Sequence, residues 1–182
     1  KHISSNILNG SRYKVFAEYM AQMNDKGGAV YNIGLDFRTY QKLYKNLIWA
    51  FRIAGAHSGG KQKILYFLGG VDNWLNYQQA TPAAPVNQET YGFQTLANNL
   101  RGYKQNARNG NSYAVANSEF RLPLLTTFIR RPIQSKLLRS LQMVAFTDVG
   151  LAWNGLIPND NTMAKSQVLT QPPVSVLINM PN

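Results

Sequence analysis

Cysteine is absent from this chain, and acidic residues are scarce: eight Asp and Glu stand against nineteen Lys and Arg. Without cysteine there is no disulfide framework, no thiolate metal site and no cysteine nucleophile. The acids show no paired-carboxylate spacing. The two histidines, His2 and His57, lie far apart, and neither belongs to an H-E-x-x-H motif. No P-loop occurs, and no G-x-S-x-G elbow surrounds His57-Ser58. Asn159-Asp160-Asn161 reads as an ordinary polar loop triplet. No enzymatic activity, cofactor or metal is expected. The chain also lacks any run of eighteen apolar residues, which excludes a transmembrane helix. A membrane β-barrel stays open, because its strands never read as continuous apolar runs.

Charge of either sign is sparse, at 15% of residues against about 25% in ordinary soluble domains. Neutral amides take its place, with 19 Asn and 12 Gln. At 45% hydrophobic and 12% aromatic, the composition is too apolar for disorder. The net charge of +11 and pI near 10.0 raise the question of nucleic acid. The basic residues alternate with apolar ones or sit in loops, away from exposed stacking aromatics, so nucleic acid is not the expected partner. The chain opens at Lys1 without a charged-then-apolar leader, and a strand-like pattern begins in 174–182. Both ends suggest a portion of a longer polypeptide.

Period two dominates the pattern. Tyr13, Val15, Ala17, Tyr19 and Ala21 alternate with Arg12, Lys14 and Glu18. After the turn signal Asn24-Asp25-Lys26-Gly27-Gly28, Tyr31, Ile33, Leu35 and Phe37 alternate with Asn32, Gly34, Asp36 and Arg38. After a short turn at Tyr44-Lys45-Asn46, Trp49, Phe51 and Ile53 alternate with Ala50, Arg52 and Ala54. The pattern predicts antiparallel strands at about 11–23, 29–43, 47–58, 112–122 and 141–153. Between them lies a long Gly- and amide-rich loop, 59–111, of a length that generally carries function. A basic connection, 130–139, precedes the last predicted strand, and 154–182 reads as a second long loop.

Strands of this length exceed the usual five or six residues and meet the roughly 9–11 that a tilted membrane strand needs. Their apolar faces carry no charge. A charge facing lipid at mid-depth costs about 2–4 kcal/mol, so in a barrel Arg12, Lys14, Asp36, Arg38 and Arg52 must face the interior. Tyr13, Tyr31, Trp49 and Trp153 fall where interfacial girdles are expected, and connections alternate between short turns and long loops. The expectation is an all-β, antiparallel transmembrane barrel. Alternation alone equally allows a soluble β-sandwich that serves as a binding module.

The segment Gly69-Gly70…Leu100-Arg101-Gly102-Tyr103 resembles the sixth-loop signature of the Omp85 superfamily of outer-membrane barrels. Ala116-Asn-Ser-Glu-Phe-Arg-Leu-Pro-Leu124 resembles the family's next strand, with an inward Glu119. Phe146-Thr-Asp-Val-Gly150 resembles the strand after it, with an F-x-D-x-G core. The likeness runs over most of 11–155 and departs from the family in the insertion Val71–Asn98, which is similar to versions in Bacteroidota. It implies about five strands of a sixteen-stranded barrel whose other strands and periplasmic domains lie outside this chain. It also implies location in the outer membrane of a Gram-negative-type bacterium. The implied role is non-enzymatic assembly, insertion or translocation of proteins there. Partners would be outer-membrane lipid, substrate outer-membrane proteins and other subunits of an envelope complex. A passive pore or structural barrel is the alternative.

The resemblance also implies a clasp. Arg101, at a loop tip where Gly102 permits a tight turn, would bridge Glu119 and Asp148 and hold the loop inside the barrel. A planar guanidinium with five donors suits two acceptors at once, and strand phase puts both acids on the interior face. Tyr103 is expected to pack near Phe146 or Phe120. Gly69, Gly70, Leu100 and Gly150 are the supporting residues, Gly150 by leaving room for the loop. The insertion is expected to cap the barrel or to meet a partner subunit. The 130–139 connection is expected to be simply solvated, with docking of an acidic partner the lesser reading.

Overall fold

The computed structural model describes residues 9–21, 28–70, 91–129, 134–135, 138, 141–158 and 176–179. The fold is all-β, with two sheets and a single five-residue helix among the described residues. Alternation sets the long strands: β1 (Gly10–Ala21), β2 (Ala29–Tyr44), β3 (Leu47–Gly60), β7 (Ser112–Pro123) and β8 (Gln142–Trp153). Each lies within two residues of its expected bounds over the part described. The order β1-β2-β3-β7-β8-β9 is antiparallel throughout, β9 being Val176–Asn179. In the 154–182 stretch, expected as a loop with a strand-like pattern beginning in 174–182, residues Val176–Asn179 add this short sixth strand. Among the described residues the sheet stays open, with β1 and β9 at its edges, and no barrel closure is seen. No described helix is long and apolar enough to cross a membrane, which says nothing of crossing by strands.

The 59–111 segment differs from the expected loop. It contains β4 (Lys63–Leu68), β5 (Tyr91–Asn98) and β6 (Arg108–Gly110), which form a second sheet in the order β5-β4-β6. β4 runs parallel to β5 and antiparallel to β6. Its sequence, Lys-Ile-Leu-Tyr-Phe-Leu, lacks alternation because both of its faces are largely covered. Of the Val71–Asn98 insertion only 91–98 is described, and that part belongs to this sheet. The Asn159–Asn161 triplet, His2 and most of the 130–139 connection lie outside the described residues. Helix α1, Leu124–Phe128, follows directly after Pro123.

The small sheet covers one face of the large one. Val30, Ala54, Ala56, Tyr113, Val115 and Ala152 of the large sheet pack with Ile64, Tyr66 and Leu68 of β4 and with Leu100. Leu68 and Leu100 are fully buried. The Tyr66 hydroxyl donates to Asn32 Oδ1 at 2.6 Å, and its ring meets Tyr113 edge-on at 5.0 Å. The uncovered face carries Tyr13 (81% exposed), Val15 (79%) and Tyr19 (71%), with Ile33, Leu35, Phe37, Ile53 and Phe120 also exposed.

Cross-strand register orders this face into rows. Trp49 opposes Phe120 and Gln41 at one end, and Tyr19 opposes Tyr31 at the other. Tyr13, expected in a girdle at a strand end, instead opposes Phe37 in the middle of the band. The register fixes this, because β1 starts level with Tyr40 and not with the turn at Lys45.

Candidate functional site

Strand phase puts the charged residues on the face that carries the small sheet, where Asp36, Arg38, Arg52, Glu119 and Asp148 are partly or fully buried while Arg12 and Lys14 of β1 stay exposed. Register runs Arg12, Arg38, Arg52, Asn117 and Asp148 directly across five neighbouring strands, with Glu119 two residues further along β7. Like charges directly opposite are destabilising, so the three arginines need compensation. Asp36 supplies it for two of them: Arg38 reaches it at 2.9 and 2.8 Å, and Arg52 at 3.3 and 2.8 Å.

Arg101 comes from the loop and enters the same face. Its Nε and Nη2 donate to Asp148 Oδ2 and Oδ1, both at 2.8 Å, and its backbone N–H adds a third bond at 3.1 Å. Nη1 donates to Glu119 Oε2 at 2.5 Å. The guanidinium lies over the Phe146 ring, 3.6 Å from its centroid. Asp148 is 1% exposed, and Asn117 Nδ2 completes its shell at 2.9 Å. Burial opposes the charge on Arg101, but its hydrogen bonds to Asp148 and Glu119 outweigh that and raise its pKa.

Local backbone geometry presents the arginine. Gly69 and Gly70 have φ of 123° and 78°, and a side chain on Gly69 would run into the Lys104 carbonyl. Gly70 bridges Leu100, and its N–H donates to Tyr103 O at 3.0 Å. Tyr103 N–H donates back to Leu100 O at 3.2 Å, closing the turn in which Gly102 takes φ 90°. Gly150 supplies the floor: a Cβ there would lie 2.8 Å from Leu100 Cδ1. The room it leaves is filled by the loop's leucine.

The structure therefore brings together Arg101, Glu119, Asp148, Phe146, Leu100, Gly69, Gly70, Gly102 and Gly150. Tyr103 packs at the edge of the buried cluster. Phe146 is covered by Arg101, and Phe120 stacks on Trp49 at 6.4 Å on the opposite face.

Sequence reasoning missed how far the network extends. Arg52 Nη1 donates to Asn98 Oδ1, and Asn98 Nδ2 donates to Asn117 Oδ1 at 3.1 Å. At the far end Arg121 Nε donates to Glu119 Oε1. One continuous chain thus runs Arg38–Asp36–Arg52–Asn98–Asn117–Asp148–Arg101–Glu119–Arg121. Strand phase puts Asp36, Arg52, Asn117 and Arg121 on this face, and that signal points to them. Nothing in the pattern points to Asn98.

The His57 ring is 2.7 Å from Ser112 Oγ, but that hydroxyl donates to the Gly155 carbonyl. Among the described residues no group of His, Asp and Glu is placed to hold a metal ion. The arrangement fastens a loop to a sheet by charge-assisted hydrogen bonds. Comparison with known proteins finds no matching family model, no matching curated protein and no matching solved structure.

Proposed function

We propose that this chain is part of an outer-membrane β-barrel of the Omp85 type, which assembles, inserts or translocates proteins without nucleotide or cofactor. The observation that carries the reading is a large sheet with two unlike faces. The face under the small sheet mixes an apolar cluster with the network of Arg, Asp and Glu side chains. The other face, with Tyr13, Val15, Leu35, Phe37 and Ile53, is apolar and is left outside. That arrangement suits lipid outside and a polar interior.

The strand dimensions support the same reading. From Tyr31 to Gln41, the residue opposite Trp49, is a span of ten residues (41 − 31). Ten residues at about 3.4 Å each span roughly 34 Å. Tilted by about 35–45°, they match a lipid-facing band of about 25 Å flanked by aromatics. The Arg101 bridge to Glu119 and Asp148 agrees with the clasp that the family resemblance implies.

In this reading the chain contributes a wall of the barrel and the loop pinned inside it. The open edges at β1 and β9 are where further strands would pair, since an unpaired edge is poorly tolerated in lipid. The test is reconstitution of the protein in liposomes with unfolded outer-membrane barrel substrates. Accelerated substrate folding is expected. Folding at the rate of empty liposomes would leave a passive pore or structural barrel, and a protein fully soluble without detergent would remove the membrane reading altogether.

A further inference from the structure

A cleft of about 410 Å³ opens between the loop and the charged face of the large sheet. Four arginines line it, Arg38, Arg52, Arg101 and Arg121, against two carboxylates, Glu119 and Asp148. Both carboxylates are already committed. Each Asp148 oxygen accepts two hydrogen bonds, and the two Glu119 oxygens accept from Arg101 and Arg121. Asp36, outside the lining, is taken on both oxygens by Arg38 and Arg52.

The donors are in surplus. Among the described residues Arg121 commits only Nε, to Glu119, which leaves its two terminal nitrogens as a fork. Arg38 uses Nε and Nη2 on Asp36 and reaches Tyr40, which lines the same cleft. Arg12 lies directly opposite Arg38 in the register, with no carboxylate partner among the described residues. Lys42 and Arg121 both oppose Ile48, on its two sides.

Surplus positive charge in a recess, with forked donors and both lining acids engaged on both oxygens, matches an anion and repels a cation. The volume falls within the range of small-molecule sites, about 300–1,000 Å³. We propose that this cleft binds a small organic anion through a phosphate or carboxylate group, held by Arg121 and Arg38 with Arg52 behind them. The proposal does not rest on the membrane reading, because sheet and loop form the cleft by their own contacts.

The test is calorimetric titration of the full protein, in whatever detergent keeps it folded, with inorganic phosphate and separately with acetate, chloride holding the ionic strength constant. Saturable binding of at least one is expected, weakened by about tenfold or more in Arg121→Gln and in Arg38→Gln and less in Arg121→Lys. Phosphate binding without acetate binding assigns the ligand's phosphate group, acetate binding without phosphate binding assigns a carboxylate, and comparable binding of both supports a site that takes either oxyanion. Protease resistance of segment 59–111 reports on folding of each variant. If Arg121→Gln loses that resistance, Arg38→Gln decides, since Arg38 is not hydrogen-bonded to Arg101, Glu119 or Asp148, and Asp36 keeps Arg52 when Arg38 is replaced. No saturable binding of either anion, or binding unchanged in Arg38→Gln, overturns the proposal.

Discussion

Asp148 accepts four hydrogen bonds, three of them from Arg101, so a charge almost sealed from water depends on one loop residue. Removing one partner of a buried pair leaves the other uncompensated, at about 3–5 kcal/mol. Arg101→Ala is expected to lower stability by about that amount, and to expose 59–111 to protease before the large sheet unfolds. Arg101→Lys should recover only part, because a point charge cannot serve Asp148 bidentately and Glu119 as well. Denaturant midpoints and the time course of cleavage check both, and an Arg101→Ala protein of wild-type stability would show the clasp to be incidental. Gly150 tests the same docking sterically. Gly150→Val should cost about 1–3 kcal/mol by overpacking against Leu100, and Leu100→Ala in the same molecule should cost less than the sum of the two single changes. Additive losses would mean that Leu100 does not fill this space.

At the scale of elements, the long strands were legible because β2, β3, β7 and β8 each have one face more covered than the other, and that difference is written as alternation; β1 keeps the alternation although both of its faces are largely exposed. Asp36, Arg52, Glu119 and Asp148 were placed on the correct face by counting in twos. β4 was not legible, because with both faces covered its Ile-Leu-Tyr-Phe-Leu run carries no period. β5 pairs with it in parallel with two register shifts, a geometry that no local pattern announces. For the same reason Asn98 was missed as the link between Arg52 and Asn117. The docking of β4 has its own signature. Burial raises the pKa of the Tyr66 phenol well above its usual value. The unfolded chain therefore loses this proton near pH 10 while the folded one keeps it. The contribution is full below about pH 10 and is lost as pH rises above that, toward the folded pKa. Stability should fall more steeply above pH 10 in the wild type than in Tyr66→Phe. Parallel curves for the two proteins would place the phenol in water.

For the whole molecule, the decisive quantity is what covers the face of Tyr13, Leu35, Phe37 and Ile53. Soluble monomers rarely expose apolar patches beyond about 300–600 Å², and this face extends across neighbouring long strands, with exposed apolar residues on five of them. Lipid and water make opposite predictions for a single charge placed there. Leu35 is 48% exposed and lies near the middle of β2. In water, Leu35→Lys should change stability by no more than about 0.5 kcal/mol, as surface substitutions usually do. In a bilayer it should cost about 2–4 kcal/mol, falling to about 0–1 toward the interfaces. Tyr19, opposite Tyr31 at the end of the band, supplies the internal control. Folding into liposomes, followed by denaturant titration, is expected to show a large loss for Leu35→Lys and a small one for Tyr19→Lys. A depth-independent effect would put the face in water or against another protein. A graded one would make lipid its solvent, and the charged residues under the small sheet would then be the interior of a barrel.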